Sequence, residues 1–143
     1  MPNNPKLTVC LDANVIISGV VYDGIPLEIL KRLYDFDFDH VTGPNILDEV
    51  CRVLVHKFSQ SQDKVDHLRD RLRSASTVYD PTGKIKAIHY QPDSMVLEVA
   101  IIGECDVLVT GDKRHLLPLK SFQGVIIESP SHFLKRLNAL KGS

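Results

Sequence analysis

The sequence predicts an α/β protein with three layers, helices covering both faces of a central, mostly parallel sheet. Short apolar runs that suit buried strands occur at residues 8–11, 106–110 and 125–127. Segments with the periodicity of amphipathic helices separate these runs. Strands that alternate with helices favour a parallel sheet buried on both faces.

Length and composition indicate one soluble domain. The chain has 143 residues, of which 43% are hydrophobic and 24% charged. A chain of this size can bury a core without disulfides or a structural metal. The formal net charge of −1 provides no overall basic field, so nucleic-acid binding would need a local basic patch.

Cysteine and histidine usage favours a reducing compartment and argues against zinc. The three cysteines are Cys10, Cys51 and Cys105, an odd number without a C-x-x-C pair. The six histidines lack zinc-motif spacing. The amino terminus has no apolar core of a signal peptide, and no apolar run approaches membrane-spanning length. We expect a cytoplasmic protein that does not enter a membrane.

The first predicted strand ends abruptly on an acid, Asp12. In open α/β sheets ligands bind at the carboxyl ends of the strands, which makes Asp12 the first candidate for chemistry. The alternative is that Asp12 only caps a helix beginning near Asn14, because Asp is a good N-cap residue. A single acid does not decide between the two.

The next segments predict a packed apolar stretch, a helix and then a charged turn. Apolar residues 15–21 suit packing on the sheet, and a helix follows from residue 26 or 27 to about residue 34. Residues 35–39 alternate Asp with Phe, which is typical of a strand with one wet face. An exposed turn running into an edge strand is favoured over a cation site, because edge strands are commonly charged.

A helix that begins at Gly43-Pro44-Asn45 carries an apolar stripe at residues 46, 47, 50, 53 and 54. At about 100° per residue, Asp48 points away from the stripe and is expected to be solvated. Glu49 borders the stripe and can lean into a cleft beside the core.

Residues 59–74 predict a thin surface helix with a narrow apolar stripe and many basic side chains. The simplest explanation of these basic side chains is that they form a solvated face of the helix. With the preceding helix it also forms the densest basic region for contacts to RNA phosphates, for which the candidates are Arg52, Lys57, Arg69, Arg71 and Arg73.

The second half of the chain repeats the strand-then-acid pattern. After a strand at residues 76–79, a helix opens at residues 92–94 and is apolar on nearly every face from 95 to 102, as expected for a sandwiched helix or a subunit interface. The strand at 106–110 is followed by Asp112. A helical turn at 116–117, a strand at 125–127 and a helix at 130–140 complete the prediction.

Four carboxylates are candidates for one site: Asp12, Glu49, Asp93 and Asp112. Acids that follow parallel strands emerge at the same sheet edge, and clustered carboxylates repel one another unless a cation is bound. Oxygen ligands favour Mg²⁺ or Mn²⁺, which activate water for phosphodiester hydrolysis. Each acid also has a structural alternative, since Asp93 and Asp112 suit N-caps and Glu49 suits the border of a core helix. Spacing alone leaves the shared site open.

Ordered motifs across nearly the whole chain resemble a PIN domain. They are Leu11-Asp12-Ala13-Asn14-Val15-Ile16-Ile17-Ser18-Gly19, the helix with Glu49, Pro92-Asp93 leading into Leu97-Glu98-Val99-Ala100, and Val109-Thr110-Gly111-Asp112. The chain is similar to small bacterial PIN proteins that are toxins of type II toxin–antitoxin pairs.

This resemblance implies a ribonuclease dependent on Mg²⁺ or Mn²⁺. The catalytic and metal-binding acids would be Asp12, Glu49, Asp93 and Asp112, and the supporting polar residues Asn14, Ser18 and Thr110. Many relatives have a further acid before the position of Asp93, where this chain has Gln91-Pro92, which favours a single ion. The implied partners are an RNA substrate, an antitoxin protein and a second copy in a homodimer.

Two other functions are compatible with parts of the sequence. An aspartyl phosphatase of the haloacid dehalogenase type also begins with a strand and an acid. It needs a second acid where this chain has Asn14, and a distal G-D-x-x-x-D that is missing after Asp112. The other is a non-catalytic RNA-binding or interaction module, against which the retention of four acids argues.

Overall fold

The computed structural model describes residues 6–84 and 91–142. Within them, the strands are β1 (Thr8–Leu11), β2 (Asp39–Thr42), β3 (Ser76–Val78), β4 (Val107–Val109), β5 (Ser121–Phe122) and β6 (Val125–Glu128). The helices are α1 (Ala13–Val21), α2 (Ile25–Tyr34), α3 (Pro44–His56), α4 (Gln62–Ser74), α5 (Gln91–Ile102) and α6 (Pro130–Gly142), with a 3₁₀ turn at Leu117–Leu119.

The strands form one sheet in the order β3-β2-β1-β4-β6-β5. All neighbours are parallel except β5 and β6, which are antiparallel. From β1 the chain first builds towards β2 and β3, and later returns to the other side of β1 with β4. The switch point therefore lies between β1 and β4. This confirms the predicted α/β architecture, and the strands ending at Asp12 and Asp112 are neighbours as expected.

The parallel register fixes where the polar residues after these strands lie. Leu11 pairs with Val109, and the backbone N–H of Asp12 donates to the carbonyl of Val109 at 2.9 Å. The next residues of both strands therefore emerge side by side. Because residues 9–11 of β1 and 107–109 of β4 are apolar and buried, these polar residues are the first groups at the carboxyl end of either strand that can meet a ligand.

Helices on both faces bury the sheet. Helix α5 packs on β1, β2 and β4, while α1 packs on α2 and α3. The α5 positions between Val96 and Ala100 are buried, whereas Ile102 is 38% exposed. Predicted burial of this apolar helix is therefore confirmed for most of its length. Among the described residues no single helix is long and apolar enough to span a membrane. Within that part of the chain, only α1 and α2 taken together have sufficient length and apolar composition, and they are bent by 100° relative to each other.

The alternating segment 35–39 differs from its strand prediction. Only Asp39 belongs to β2, and residues 35–38 form a turn in which Phe36 has a φ of 58°. The backbone N–H of Asp37 donates to the carbonyl of Arg32 at 3.0 Å, and its carboxylate accepts from the Arg32 guanidinium. The exposed turn is confirmed. An edge position for the following strand is wrong, because β2 lies between β1 and β3.

The short strand at Ser121–Phe122 was not predicted from the sequence. The two residues pair with β6 through a turn in which Gln123 and Gly124 both have positive φ, 47° and 87°. Two residues are too few for a recognisable period. The real edges of the sheet are β3 and this short β5.

Candidate active site

Asp12 is both a helix cap and a residue of the sheet edge. One carboxylate oxygen, Oδ1, accepts from the backbone N–H of Ala13 at 2.8 Å, which makes Asp12 the N-cap of α1. The other, Oδ2, accepts from the Thr110 hydroxyl at 2.7 Å. Asp12 is only 6% exposed. The capping alternative is therefore correct, and it does not compete with a place in the site.

Thr110 joins the two acids of the central strands. Its hydroxyl donates to Asp12 and accepts from the backbone N–H of Asp112 at 3.0 Å. The Thr110 side chain is fully buried, and its backbone N–H donates to the carbonyl of Glu128 on β6 at 3.0 Å. A single buried hydroxyl thus fixes the spacing between Asp12 and Asp112.

Asp112 uses only one of its oxygens in the turn that follows β4. Its Oδ1 accepts from the backbone N–H groups of Arg114 at 3.0 Å and His115 at 3.2 Å. Oδ2 lies 3.5 Å from Nδ1 of His115. The carboxylate thus shapes the turn with one oxygen and presents the other to the neighbouring side chains.

Asp93 lies opposite Asp112 on another element. It is the third residue of α5 and belongs to the first turn of that helix, so its interpretation as an N-cap is wrong. Its side chain is 14% exposed, and its Oδ2 lies 3.3 Å from Nδ1 of His115. One ligand atom each from Asp93, Asp112 and His115 lie within 4.8 Å of one another.

The pKa values show that these acids repel one another. Burial raises the pKa of Asp93 to about 6, and the charges of Asp112 and Asp12 add to the rise. Burial also raises the pKa of Asp12, against the hydrogen bonds from Thr110 and Ala13. Burial would raise the pKa of Asp112 too, but the backbone donors at Arg114 and His115, with the Asp93 hydrogen bond and the nearby imidazole, together lower this pKa.

Glu49 stands further out than the other three acids. Its side chain is 47% exposed and lies 3.4 Å from the guanidinium of Arg52. It does not belong to the close group formed by Asp93, Asp112 and His115. Its charge nevertheless contributes to the raised pKa of Asp12, which indicates that the Glu49 carboxylate lies on the side of α3 near the site.

Asn14 supports the loop after β4. Its Oδ1 accepts from the backbone N–H of Gly111 at 3.3 Å, so the first turn of α1 is tied to the residue before Asp112. Ser18, one helical turn further along α1, is half-buried. These two residues share one side of α1 because they are four positions apart.

The five basic candidates do not form one row. Arg69 on α4 pairs with Asp48 on α3, whose side chain is 64% exposed, as expected for a solvated position. Arg52 faces Glu49. Arg71 lies on the other flank of α4, with its guanidinium carbon 4.4 Å from the ring centroid of Tyr34. Arg73 and Lys57 are exposed.

His115 was not predicted from the sequence as a residue of the site. Its partners come from α5 and from the turn after β4, so no short motif brings them together. The available signal was its position three residues after Asp112, the spacing of one turn.

Glu98 belongs to the motif Leu97-Glu98-Val99-Ala100 but is not among the predicted site residues. Its carboxylate is buried, with 2% of the residue exposed. It accepts from the hydroxyl of Thr82 and from the backbone N–H of Gly83 at 2.8 Å. Glu98 therefore anchors the loop after β3 to α5. Its role in these contacts is structural.

Comparisons with known proteins agree with this geometry. The fold is similar to a solved structure described as VapBC2 from Rickettsia felis bound to a DNA fragment from their promoter, with a TM-score of 0.61 and 15% identity, covering 86% of this chain and 98% of that chain. No curated protein matches the sequence. Residues 8–114 match the model of the PIN domain, a family whose members are generally nucleases. The chain belongs to the PIN domain family.

Proposed function

We propose that this protein is a metal-dependent endoribonuclease. The observation that carries the proposal is the meeting of Asp93 and Asp112 at the switch point, with Asp12 held behind them through Thr110. Ligands of open α/β sheets bind at this position. The PIN family is generally one of nucleases, which favours a phosphodiester substrate.

The donor set fits a divalent cation of the Mg²⁺ or Mn²⁺ type. Asp93 and Asp112 offer carboxylate oxygens that are close together, and burial, with a further contribution from the charges of Asp112 and Asp12, raises the pKa of Asp93 to about 6. A bound cation relieves such repulsion. When bound, such an ion polarises the phosphate and lowers the pKa of a coordinated water.

Some of these residues would bind the ion, and others would position the loops that carry them. Asp93 and Asp112 would bind the ion directly, and Asp12, which lies outside their close group, would add its negative charge from behind them. Thr110 and Asn14 would keep the two loops in place, with Ser18 beside them. Glu49, on the rim with 47% exposure, would approach from the solvent side.

RNA binding would use charge on α3 and α4. Of the five candidates, Arg52, Arg71 and Arg73 are exposed on these helices and Lys57 is exposed directly after α3, and Arg52 lies beside Glu49 at the rim of the site. Arg69 would contribute through a guanidinium already oriented by Asp48. Arg71, on the opposite flank over Tyr34, is the weakest of the five candidates.

We further propose that the protein is the toxin of a toxin–antitoxin pair, acts in the cytoplasm and forms a homodimer. The VapBC2 neighbour supports a protein partner, although the likeness itself concerns the fold. An antitoxin that covers the acidic edge would silence the site. The partly exposed apolar end of α5 at Ile102, 38% exposed, gives one surface for the second copy.

A haloacid dehalogenase type of phosphatase is less well supported. Its proton donor would have to be at Asn14, whose side chain is an amide that accepts from Gly111. A non-catalytic module is also less well supported, because it gives no reason to keep repelling carboxylates together.

Incubation with a mixed pool of structured and unstructured RNA, with Mn²⁺ and with chelator, tests the proposal. We expect internal cuts that require the metal and no release of phosphate from a small phosphomonoester. Mapping the cut ends would define the preferred sequence. Intact RNA with all metals offered would overturn the nuclease, and hydrolysis of the monoester instead would favour the phosphatase.

A further inference from the structure

The side chain of His115 is not needed to form the turn that carries Asp112. It is the fourth residue of the turn that begins at Asp112, and its backbone N–H already contributes to that turn by donating to Oδ1 of Asp112 at 3.2 Å. The imidazole extends from the turn towards α5. Its Nδ1 lies 3.3 Å from Oδ2 of Asp93 and 3.5 Å from Oδ2 of Asp112.

The two distances from Nδ1 of His115 to the carboxylate oxygens are close to the spacing of neighbouring ligands on one ion. Ligands about 2.1 Å from an octahedral ion are about 3 Å apart when adjacent. The observed separations of 3.3 and 3.5 Å are slightly longer, and the three atoms lie within 4.8 Å of one another. The oxygen that Asp112 contributes is the one its turn leaves for other contacts, because Oδ1 is used by the two backbone donors.

A charged imidazole would be the simplest alternative, serving as a counter-ion to the two carboxylates. Its effect on them is small, however. Among the causes that act on the pKa of Asp93, the lowering by His115 ranks after burial and after the repulsion from Asp112 and Asp12. A charged His115 would therefore offset only part of the repulsion, and the rest can be relieved by a proton that Asp93 donates to Asp112 or by a bound cation.

We propose that His115 binds the divalent cation through Nδ1, together with Asp93 and Asp112, and that this nitrogen makes the site prefer a first-row transition ion such as Mn²⁺ to Mg²⁺. The inference rests on the proposed metal-dependent function and adds a ligand that an all-carboxylate site lacks. Imidazole is a common ligand of first-row transition ions, to which Mn²⁺ belongs, although Mn²⁺ is also bound well by oxygen; Mg²⁺ is bound through oxygen ligands. The site would thus discriminate by ligand chemistry as well as by charge.

The most direct test is pulsed electron paramagnetic resonance of Mn²⁺ bound to the full chain after chelator treatment. We expect a nitrogen coupling to the manganese, which disappears in His115→Asn. Asparagine places an oxygen near the position of Nδ1, so this variant exchanges the donor atom and preserves the approximate shape. His67→Gln, on the exposed surface of α4, is the matched control and should retain the coupling.

Calorimetric titration with Mn²⁺ and Mg²⁺ gives an independent readout. We expect His115→Asn to lose at least roughly 10-fold in Mn²⁺ affinity, since loss of a group that only supports a metal ligand already costs about 10- to 100-fold, and to change little for Mg²⁺. A folded variant with the same Mn²⁺ to Mg²⁺ ratio as the wild type would overturn the inference. Absence of nitrogen coupling in the wild-type protein would overturn it without any variant.

RNA cleavage measured on the same samples separates this inference from the proposed function. Metal-dependent cleavage without nitrogen coupling would reject His115 as a ligand and keep the nuclease. Nitrogen coupling in a protein that cleaves no RNA would support the ligand and reject the nuclease.

Discussion

The Thr110 hydroxyl donates a 2.7 Å hydrogen bond to Oδ2 of Asp12, and the same hydroxyl accepts from the backbone N–H of Asp112 at 3.0 Å. Thr110 is fully buried, so water does not replace these bonds easily. The acids of two neighbouring strands are therefore held by one side chain of the sheet, and the spacing of the site depends on the packing of the core.

Thr110→Val should weaken both the fold and the site. The change keeps the shape but leaves the Asp12 oxygen and the Asp112 N–H without this partner, and an unsatisfied buried polar group costs about 1–3 kcal/mol. We expect a loss of that size in the free energy of unfolding in urea, together with weaker Mn²⁺ binding. Thr110→Ser, which keeps the hydroxyl, is the control. Equal stability of the Val and Ser variants would mean that the hydroxyl does not hold the two strand ends.

Asp93 should make the metal-free protein more stable at mildly acidic pH. Its pKa is raised to about 6 in the folded protein, so folding favours the protonated form. The stabilisation from this proton is complete below the ordinary carboxyl pKa and is lost as the pH rises through about 6. Asp93→Asn removes this titration.

Urea unfolding of both proteins in chelator measures the effect. The stability of the wild type relative to Asp93→Asn should rise on the order of 1 kcal/mol between about pH 7.5 and pH 4.5, less than the full 1.4 kcal/mol per pKa unit because solvent screens part of the interaction. If the stability difference between the two proteins does not depend on pH, the pKa of Asp93 is not raised in the folded protein.

How much of the site followed from the sequence depended on where its residues lie along the chain. Asp12 and Asp112 each follow an apolar strand directly, and parallel pairing brings such positions to one edge. Their adjacency could be predicted. His115 could not be linked to Asp93, because that contact joins two elements separated by β4, and nothing local in the sequence encodes it.

The incorrect details have a similar origin. The period-two pattern at residues 35–38 resembles a strand, but the contacts between Arg32 and Asp37 close a turn there. Arg69 and Arg71 look equivalent on a basic helix. They diverge because packing places Asp48 of α3 beside Arg69 and Tyr34 beside Arg71.

Neutralising exposed arginines should weaken RNA binding and its dependence on salt. Each phosphate contact contributes about 0.7 to the slope of log affinity against log salt for a single strand. The double variant Arg52→Gln/Arg73→Gln should therefore lower the slope by about 1.4. This choice leaves the Arg69 and Asp48 pair intact.

Titrations of a fluorescent, uncleavable RNA at several salt concentrations give both quantities. Lys31→Gln/Lys135→Gln, on exposed positions of α2 and α6, removes the same charge elsewhere. An identical slope for the wild type and the arginine variant would place the RNA on another surface.

Gly19→Ala should separate α1 from α2. A β-carbon at this position would lie 2.6 Å from Cδ1 of Leu30 and 2.8 Å from the backbone oxygen of Pro26. The leucine can shift, but the backbone oxygen cannot do so without moving α2. We expect a loss of about 1–3 kcal/mol in unfolding free energy, as for overpacked cores. A gain of about 0.5–1 kcal/mol, which is usual for this change inside a helix, would contradict the close approach.

We propose that the acids at the switch point hold a divalent cation with which the protein cleaves RNA. The direct measurement is the cleavage rate of an RNA pool at fixed Mn²⁺ by the wild type, Asp93→Asn and Asp35→Asn. Asp35 is exposed in the turn before β2, at the opposite end of the strands, and controls for the loss of one charge. We predict cleavage by the wild type and Asp35→Asn that stops with chelator, and a rate for Asp93→Asn lower by at least about 100-fold, since metal-assisted hydrolysis depends on its ligands. Equal rates for the two variants, or cleavage that persists in chelator, would contradict the account.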